Sequence, residues 1–115
     1  MSRHVTRRLA EAMAYPFGEP VTAFLTQAYI DTCCAFGVIH RHRKADRFGR
    51  FQDGHRVRTS NIVRVQLYDS FWVLRTFSGS FYVIASFDPR GGRQSLQRFL
   101  SLQKQGLHQP PAGLQ

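Results

Sequence analysis

From Phe36 to Phe87 short apolar runs are punctuated by tight-turn words about every ten residues, and few folds tolerate that rhythm. Val38, His40 and His42 alternate with Ile39, Arg41 and Arg43, which predicts a strand whose far end is wet. Asp53-Gly54 lies between Phe51 and Val57 as a hairpin-turn signal. From Ile62 to Leu67 the alternation puts Val63, Val65 and Leu67 on one face. Tyr68-Asp69-Ser70 turns the chain into Phe71 to Phe77, and Ser78-Gly79-Ser80 turns it again into Phe81 to Phe87. The expectation is an antiparallel meander of roughly five strands, curled into a small barrel or strongly bent sheet. Both faces of the last two strands are apolar, so something else must cover the outer one.

Helical periodicity at the two ends supplies that cover. Ser2 is placed to cap a helix carrying Val5, Leu9 and Met13 on one stripe, and Tyr15-Pro16-Phe17-Gly18 ends it. Val21, Phe24, Leu25, Ala28 and Tyr29 match the i, i+3, i+4 spacing of a second helix from about Glu19 to Cys33. Tyr29-Ile30 and Thr32 dissent, because they suit a strand. Leu96, Phe99 and Leu100 mark a final helix that Gly106 stops. The fold class expected is α+β: the five-stranded sheet, two N-terminal helices and one C-terminal helix in a single domain over residues 1–105, with a flexible tail at 106–115.

Charge is the second constraint. The chain has 115 residues, a net charge of +9 and an apolar fraction of 43%. That apolar share supports a folded core, while the charge points to a nucleic acid, an acidic protein or an anionic surface as partner. Arg41, Arg43, Lys44, Arg47, Arg50, Arg56 and Arg58 fall in 18 residues against Asp46 and Asp53, a local formal charge of +5. Planar guanidinium groups suit bidentate phosphate recognition. Phe48 and Phe51 interrupt the run and suit either stacking on unpaired bases or filling a hairpin core, the plainer role. Arg41 with Arg43, and Arg56 with Arg58, are expected to share strand faces and line one patch.

Other chemistries find less support. The seven acids are scattered singly, and three of them (Asp53, Asp69, Asp88) occupy predicted turns, so no acid–base or nucleophilic constellation stands out and the reading is non-enzymatic. Cys33-Cys34 are adjacent, unlike the spaced pairs that bind zinc, and His40-x-His42 has no second ligand pair, so no metal or other cofactor is expected. No run approaches the ~18 apolar residues of a membrane span, and the N-terminus lacks the apolar stretch of a signal peptide. The expected setting is the cytoplasm, with no membrane and no small-molecule substrate. An uncovered edge strand would offer a route to a homodimer.

Phe51-Gln52-Asp53-Gly54-His55-Arg56-Val57-Arg58-Thr59-Ser60, then Ile62-Val63, then Thr76-Phe77-Ser78-Gly79-Ser80-Phe81-Tyr82, resembles a pattern in small proteins of proteobacterial phages and plasmids. The resemblance spans roughly residues 48 to 87 and carries no catalytic residues. It implies a mobile-element origin, where small proteins inhibit or adapt host nucleic-acid machinery, anti-CRISPR proteins among them. Two functions follow as expectations. One is a binding module whose arginine-rich patch (Arg41 to Arg58, with Phe48 and Phe51) meets a nucleic-acid backbone, RNA or DNA. The other is an inhibitor docking on a host CRISPR or other nucleoprotein complex.

Overall fold

The computed structural model describes residues 2–104, so the expected stop at Gly106 and the tail lie outside the described residues. The protein is α+β: a six-stranded mixed sheet with one helix on each face. In chain order the elements are α1 (Arg3–Ala14), β1 (Ala23–Asp31), β2 (Cys34–His40), β3 (Arg56–Arg58), β4 (Ile62–Tyr68), β5 (Phe71–Thr76), β6 (Phe81–Ile84) and α2 (Gly92–Lys104). Sheet order is β3-β2-β1-β6-β5-β4. All neighbours are antiparallel except the central pair, where Phe24 of β1 runs parallel beside Val83 of β6.

Two expectations are overturned together. The segment read as a second helix is strand β1, and the five-strand meander is two three-strand units joined through the parallel β1–β6 pair. The cause is burial combined with a bulge. β1 sits in the middle of the sheet, where Ala23, Phe24, Leu25 and Thr26 are all buried, so it does not alternate with polar residues. Gln27, at φ 54°, is then inserted where the β1–β2 register shifts between Thr26 and Tyr29. Leu25 and Ala28 therefore share one face and Thr26 and Tyr29 the other, a three-residue step that imitates helical spacing.

The sheet curls without closing. A flat six-stranded sheet would hold its edges about 24 Å apart at ~4.8 Å per strand. Arg58 at the end of β3 and Ile62 at the start of β4 are four residues apart, a reach of at most about 14 Å. The Ile62 amide accordingly donates to the Cys33 carbonyl at 2.7 Å, in the β1–β2 turn. No ladder joins β3 to β4. Inside the curl, residues of the sheet meet in one core: Leu25, Ala28 and Ile30 of β1, Ala35 and Ile39 of β2, Ile62 of β4, Leu74 of β5 and Ile84 of β6, plugged by Leu96 and Phe99 of α2. A bulge between Ile62 and Arg64 turns Ile62 and Val65 to this same side, replacing the simple Val63-Val65-Leu67 alternation.

The outer face carries a smaller core. Ser2 caps α1, its hydroxyl accepting from the Val5 amide, as its position predicts. Leu9 and Ala12 then pack on Phe24 of β1, Val73 and Phe71 of β5, and Phe81 and Val83 of β6, with Phe17 closing the end. Arg8 sits over the Phe71 ring at 4.3 Å and reaches the Ser70 carbonyl. Arg75 forms a two-pronged pair with Glu19 and lies over Phe81 at 4.7 Å. On β1 this outer core ends at Phe24; farther along the outer face Thr26 is still fully buried, whereas Tyr29, Phe36 and Val38 are half-buried and Arg56 and Arg58 exposed.

Candidate nucleic-acid interface

β2 ends at His40, and the next fifteen residues form the loop 41–55 that carries most of the basic run. The strand stops because Arg41 takes φ 55°, with its amide held by the Asp53 carboxylate at 2.7 Å. Arg41 and Arg43 are therefore not neighbours on a strand face, contrary to expectation. The Asp53-Gly54 turn does form, Gly54 at φ 91°, but Phe51 belongs to no strand, and the turn returns the chain to β2, where Gly54 donates to Ile39.

Within the loop each cation has its own setting. The Asp46 carboxylate accepts from the amides of Phe48 and Arg50 and pairs with the Arg50 side chain at 2.8 Å. Those bonds hold its carboxyl below the usual carboxylate range. Arg43 donates its amide to the Thr22 carbonyl, and with Lys44 it borders the Ser78-Gly79-Ser80 turn. Arg47 lies over the Phe48 ring at 5.1 Å. Phe48 is 77% exposed and Phe51 38%, so neither fills a hairpin core. Phe51 instead stacks on His42 at 4.2 Å between centroids.

His42 is the loop's anchor, which its sequence reading as a wet strand residue missed. It is buried, edge-on to Tyr82, and its Nδ1 accepts the Lys44 amide at 3.0 Å. Burial, then the nearby Lys44 charge, lowers its pKa below the ordinary 6.5. His40 on β2 is tied to Thr26 Oγ1 at 2.9 Å, and burial lowers its pKa too. Both rings thus have local partners. Among the described residues no three His, Cys, Asp or Glu side chains are grouped to hold a metal ion.

Arg56 and Arg58 do share a face, the outer one, opposite Val38 and Phe36 of β2. Arg56 also reaches Gln27 Oε1 at 3.4 Å and feels the Asp88 carboxylate. Of the seven cations from Arg41 to Arg58, Arg50 is the one in an ion pair among the described residues. The acids pair elsewhere, Glu11 with Arg8, Glu19 with Arg75 and Asp88 with Arg90. The structure thus splits the predicted patch into an exposed loop group, Arg41, Arg43, Lys44, Arg47 and Arg50, and a strand pair, Arg56 and Arg58.

One feature beside Arg58 was absent from the sequence reading. Tyr29 of β1 and Phe36 of β2 are register partners on the open outer face, and their rings stack at 5.1 Å with planes 8° apart. Their spacing across the short Asp31–Cys34 hairpin held the signal, which the helical reading of β1 hid. No family model, curated protein or solved structure matches the chain.

Proposed function

We propose that the protein is a non-enzymatic nucleic-acid-binding module whose loop 41–55 and edge strand β3 engage a phosphate backbone. The observation that carries this reading is the unneutralised charge: six of the seven cations from Arg41 to Arg58 have no ion-pair partner among the described residues. Ordinary surfaces intersperse both signs, so a one-signed stretch fixed on a folded edge suits a polyanion. The arginines supply bidentate donors, and the anchoring of the loop by Asp46, Asp53 and buried His42 presents them without the full entropic cost of ordering a loose tail.

Titration of labelled single- and double-stranded RNA and DNA at about 50 and about 200 mM salt tests the reading. If all six cations met phosphates, log K against log salt would fall with a slope near −4 on a single strand, from about −0.7 per contact. Replacing Arg41, Arg43 and Arg47 with alanine flattens the slope by about 2. Affinity that ignores salt, or that does not exceed that of an equally basic control protein, refutes the proposal.

A second reading rests on Phe48. A ring 77% exposed with the Arg47 guanidinium over it has the make-up of an interface anchor, which favours a nucleoprotein complex as the partner. An inhibitor of a host complex, of the kind the phage and plasmid resemblance implies, would use it so. In that case Phe48→Ala weakens capture of the complex more than any single arginine replacement does.

A further inference from the structure

The outer face of β1–β2–β3 is where charge and aromatic surface coincide. Three rows cross it: Phe24 with His40, then Thr26, Val38 and Arg56, then Tyr29, Phe36 and Arg58. Phe24 of the first row belongs to the outer core under α1, and Thr26 of the second is fully buried. Tyr29, Phe36 and Val38 are half-buried and belong to neither core, so part of their apolar surface stays exposed to solvent. Beyond Tyr29, β1 outruns β6, and the ring borders a cleft of about 630 Å³ whose walls include Arg90, Arg98 and Gln94 as well as Asp31 and Asp88. Guanidinium groups thus stand on both sides of the ring pair, Arg58 beside Phe36 and Arg90 with Arg98 beyond Tyr29. Asp31 and Asp88 dilute that charge, so this strip by itself is a poor phosphate trap.

We propose that Tyr29 and Phe36 form a stacking platform for unpaired bases, making the ligand a single-stranded nucleic acid. The inference rests on the phosphate-binding reading of the loop and adds a division of labour to it. Loop 41–55 and Arg56 hold the backbone, and the ring pair with Arg58 takes the bases. Bases have π faces whatever their identity, so such a platform tolerates sequence. A duplex hides those faces in its own stack, which is why single strands are selected. A protein segment laid on the same strip would use its apolar surface but gain nothing from ring planarity.

The test separates the two roles with oligo(U), oligo(dT) and a duplex of equal length as probes, read by fluorescence anisotropy. Tyr29→Leu and Phe36→Leu keep apolar bulk under the strip and remove the ring face; Tyr29→Ala and Phe36→Ala remove both. Each leucine variant is expected to lose single-strand affinity about fivefold or more, the double variant more still, with the salt slope and the duplex affinity unchanged. Urea unfolding of the leucine variants should stay near wild type, which keeps a folding defect from imitating the result. Equal losses on oligo(U) and oligo(dT) assign the platform to bases alone, and a larger loss on oligo(U) adds a ribose contact. Unchanged single-strand affinity in the leucine variants, with the salt slope intact, overturns the platform while leaving the phosphate reading in place. Loss of salt-dependent binding in wild type overturns both. Alanine variants that bind every probe normally but no longer capture a protein partner, which the leucine variants still capture, assign the strip to protein docking and refute the proposal.

Discussion

Ser95→Ala is expected to loosen the far end of β1, and the structure sets the size of the effect. β1 runs on to Asp31, whereas β6 ends at Ile84 and the backbone bonds of the chain that follows it, from Ala85, Ser86 and Asp88, reach β1 no farther than Ala28. Ile30 pairs with Ala35 of β2 in a position where the two amides point away from each other. The Ala35 amide finds Thr59 Oγ1 at 3.0 Å. The Ile30 amide, facing the side that β6 has vacated, finds Ser95 Oγ of α2 at 2.8 Å. Ile30 is 6% exposed and Ser95 9%, so water does not readily replace the hydroxyl. An orphaned buried donor costs about 1–3 kcal/mol, against which alanine's better helix propensity returns about half a kcal/mol. The net expectation is a loss of roughly 1–2 kcal/mol, or about 4–16 °C in Tm for a domain of this size. Urea unfolding followed by the fluorescence of Trp72, which packs on the inner core, should show a lower midpoint at unchanged slope. Hydrogen exchange at the Ile30 amide should quicken in parallel. A midpoint within error of wild type together with full protection of Ile30 would refute the argument that a helix side chain stands in for the missing strand.

Two further outcomes follow from the same core. A Cβ built on Gly92 would lie 2.3 Å from the Ala28 carbonyl oxygen and 3.1 Å from Phe87 Cβ, so Gly92→Ala must push α2 off β1. The expected destabilisation is about 2 kcal/mol, and a variant as stable as wild type in thermal unfolding would mean that the helix start can shift without loss. Folding also depends on pH through His42, because its Nδ1 accepts the Lys44 amide and the folded state therefore favours the neutral ring. The unfolded chain binds the proton near the ordinary 6.5, so stability is full above that value and declines as pH falls through it toward the lowered folded pKa. His40 titrates in the same direction, so the check is urea unfolding at pH values either side of 6.5, in wild type and His42→Gln, with the variant showing the shallower decline. Equal declines would place the pH dependence elsewhere.

How much was legible in the chain depended on whether one face of each element met water. α1 and α2 are amphipathic on the surface, and Ser2, Leu9, Leu96 and Phe99 take the places that their spacing predicts. The turns at Asp69-Ser70 and Ser78-Gly79 likewise join β4 to β5 and β5 to β6. β1 was illegible because it is central, buried on both faces and bulged at Gln27, so neither alternation nor a clean run survives in Ala23–Asp31. Reading it as a helix concealed the β1–β2 hairpin and, with it, the pairing of Tyr29 with Phe36. The basic run was legible as charge but not as shape, because the end of β2 is set by the Arg41–Asp53 contact and the burial of His42, both tertiary. Phe48 and Phe51 show the same limit, since nothing local tells a ring that packs from a ring that projects.

The distribution of acids is what turns a basic composition into a directed surface. Glu11, Glu19 and Asp88 are spent on Arg8, Arg75 and Arg90: the Glu19 pair ties the segment before β1 to β5, while the other two are local, within α1 and within the turn before α2. Asp46 and Asp53 lie inside the basic loop, yet they are occupied with backbone amides, at Phe48, Arg50 and Arg41, and of the loop's guanidinium groups Asp46 neutralises that of Arg50. The acids therefore shape the loop more than they discharge it. Cations held close on a fixed loop repel one another, so nothing in the folding of this edge favours their accumulation. The ring pair beside them poses the same question in apolar terms, because Tyr29 and Phe36 add to neither core. Charge that opposes folding and aromatic surface that lies outside both cores meet at one edge of the curl, between loop 41–55 and the α2 cleft. A ligand that brings phosphates and bases together answers both at once, where a purely acidic surface or a purely apolar one would answer only half.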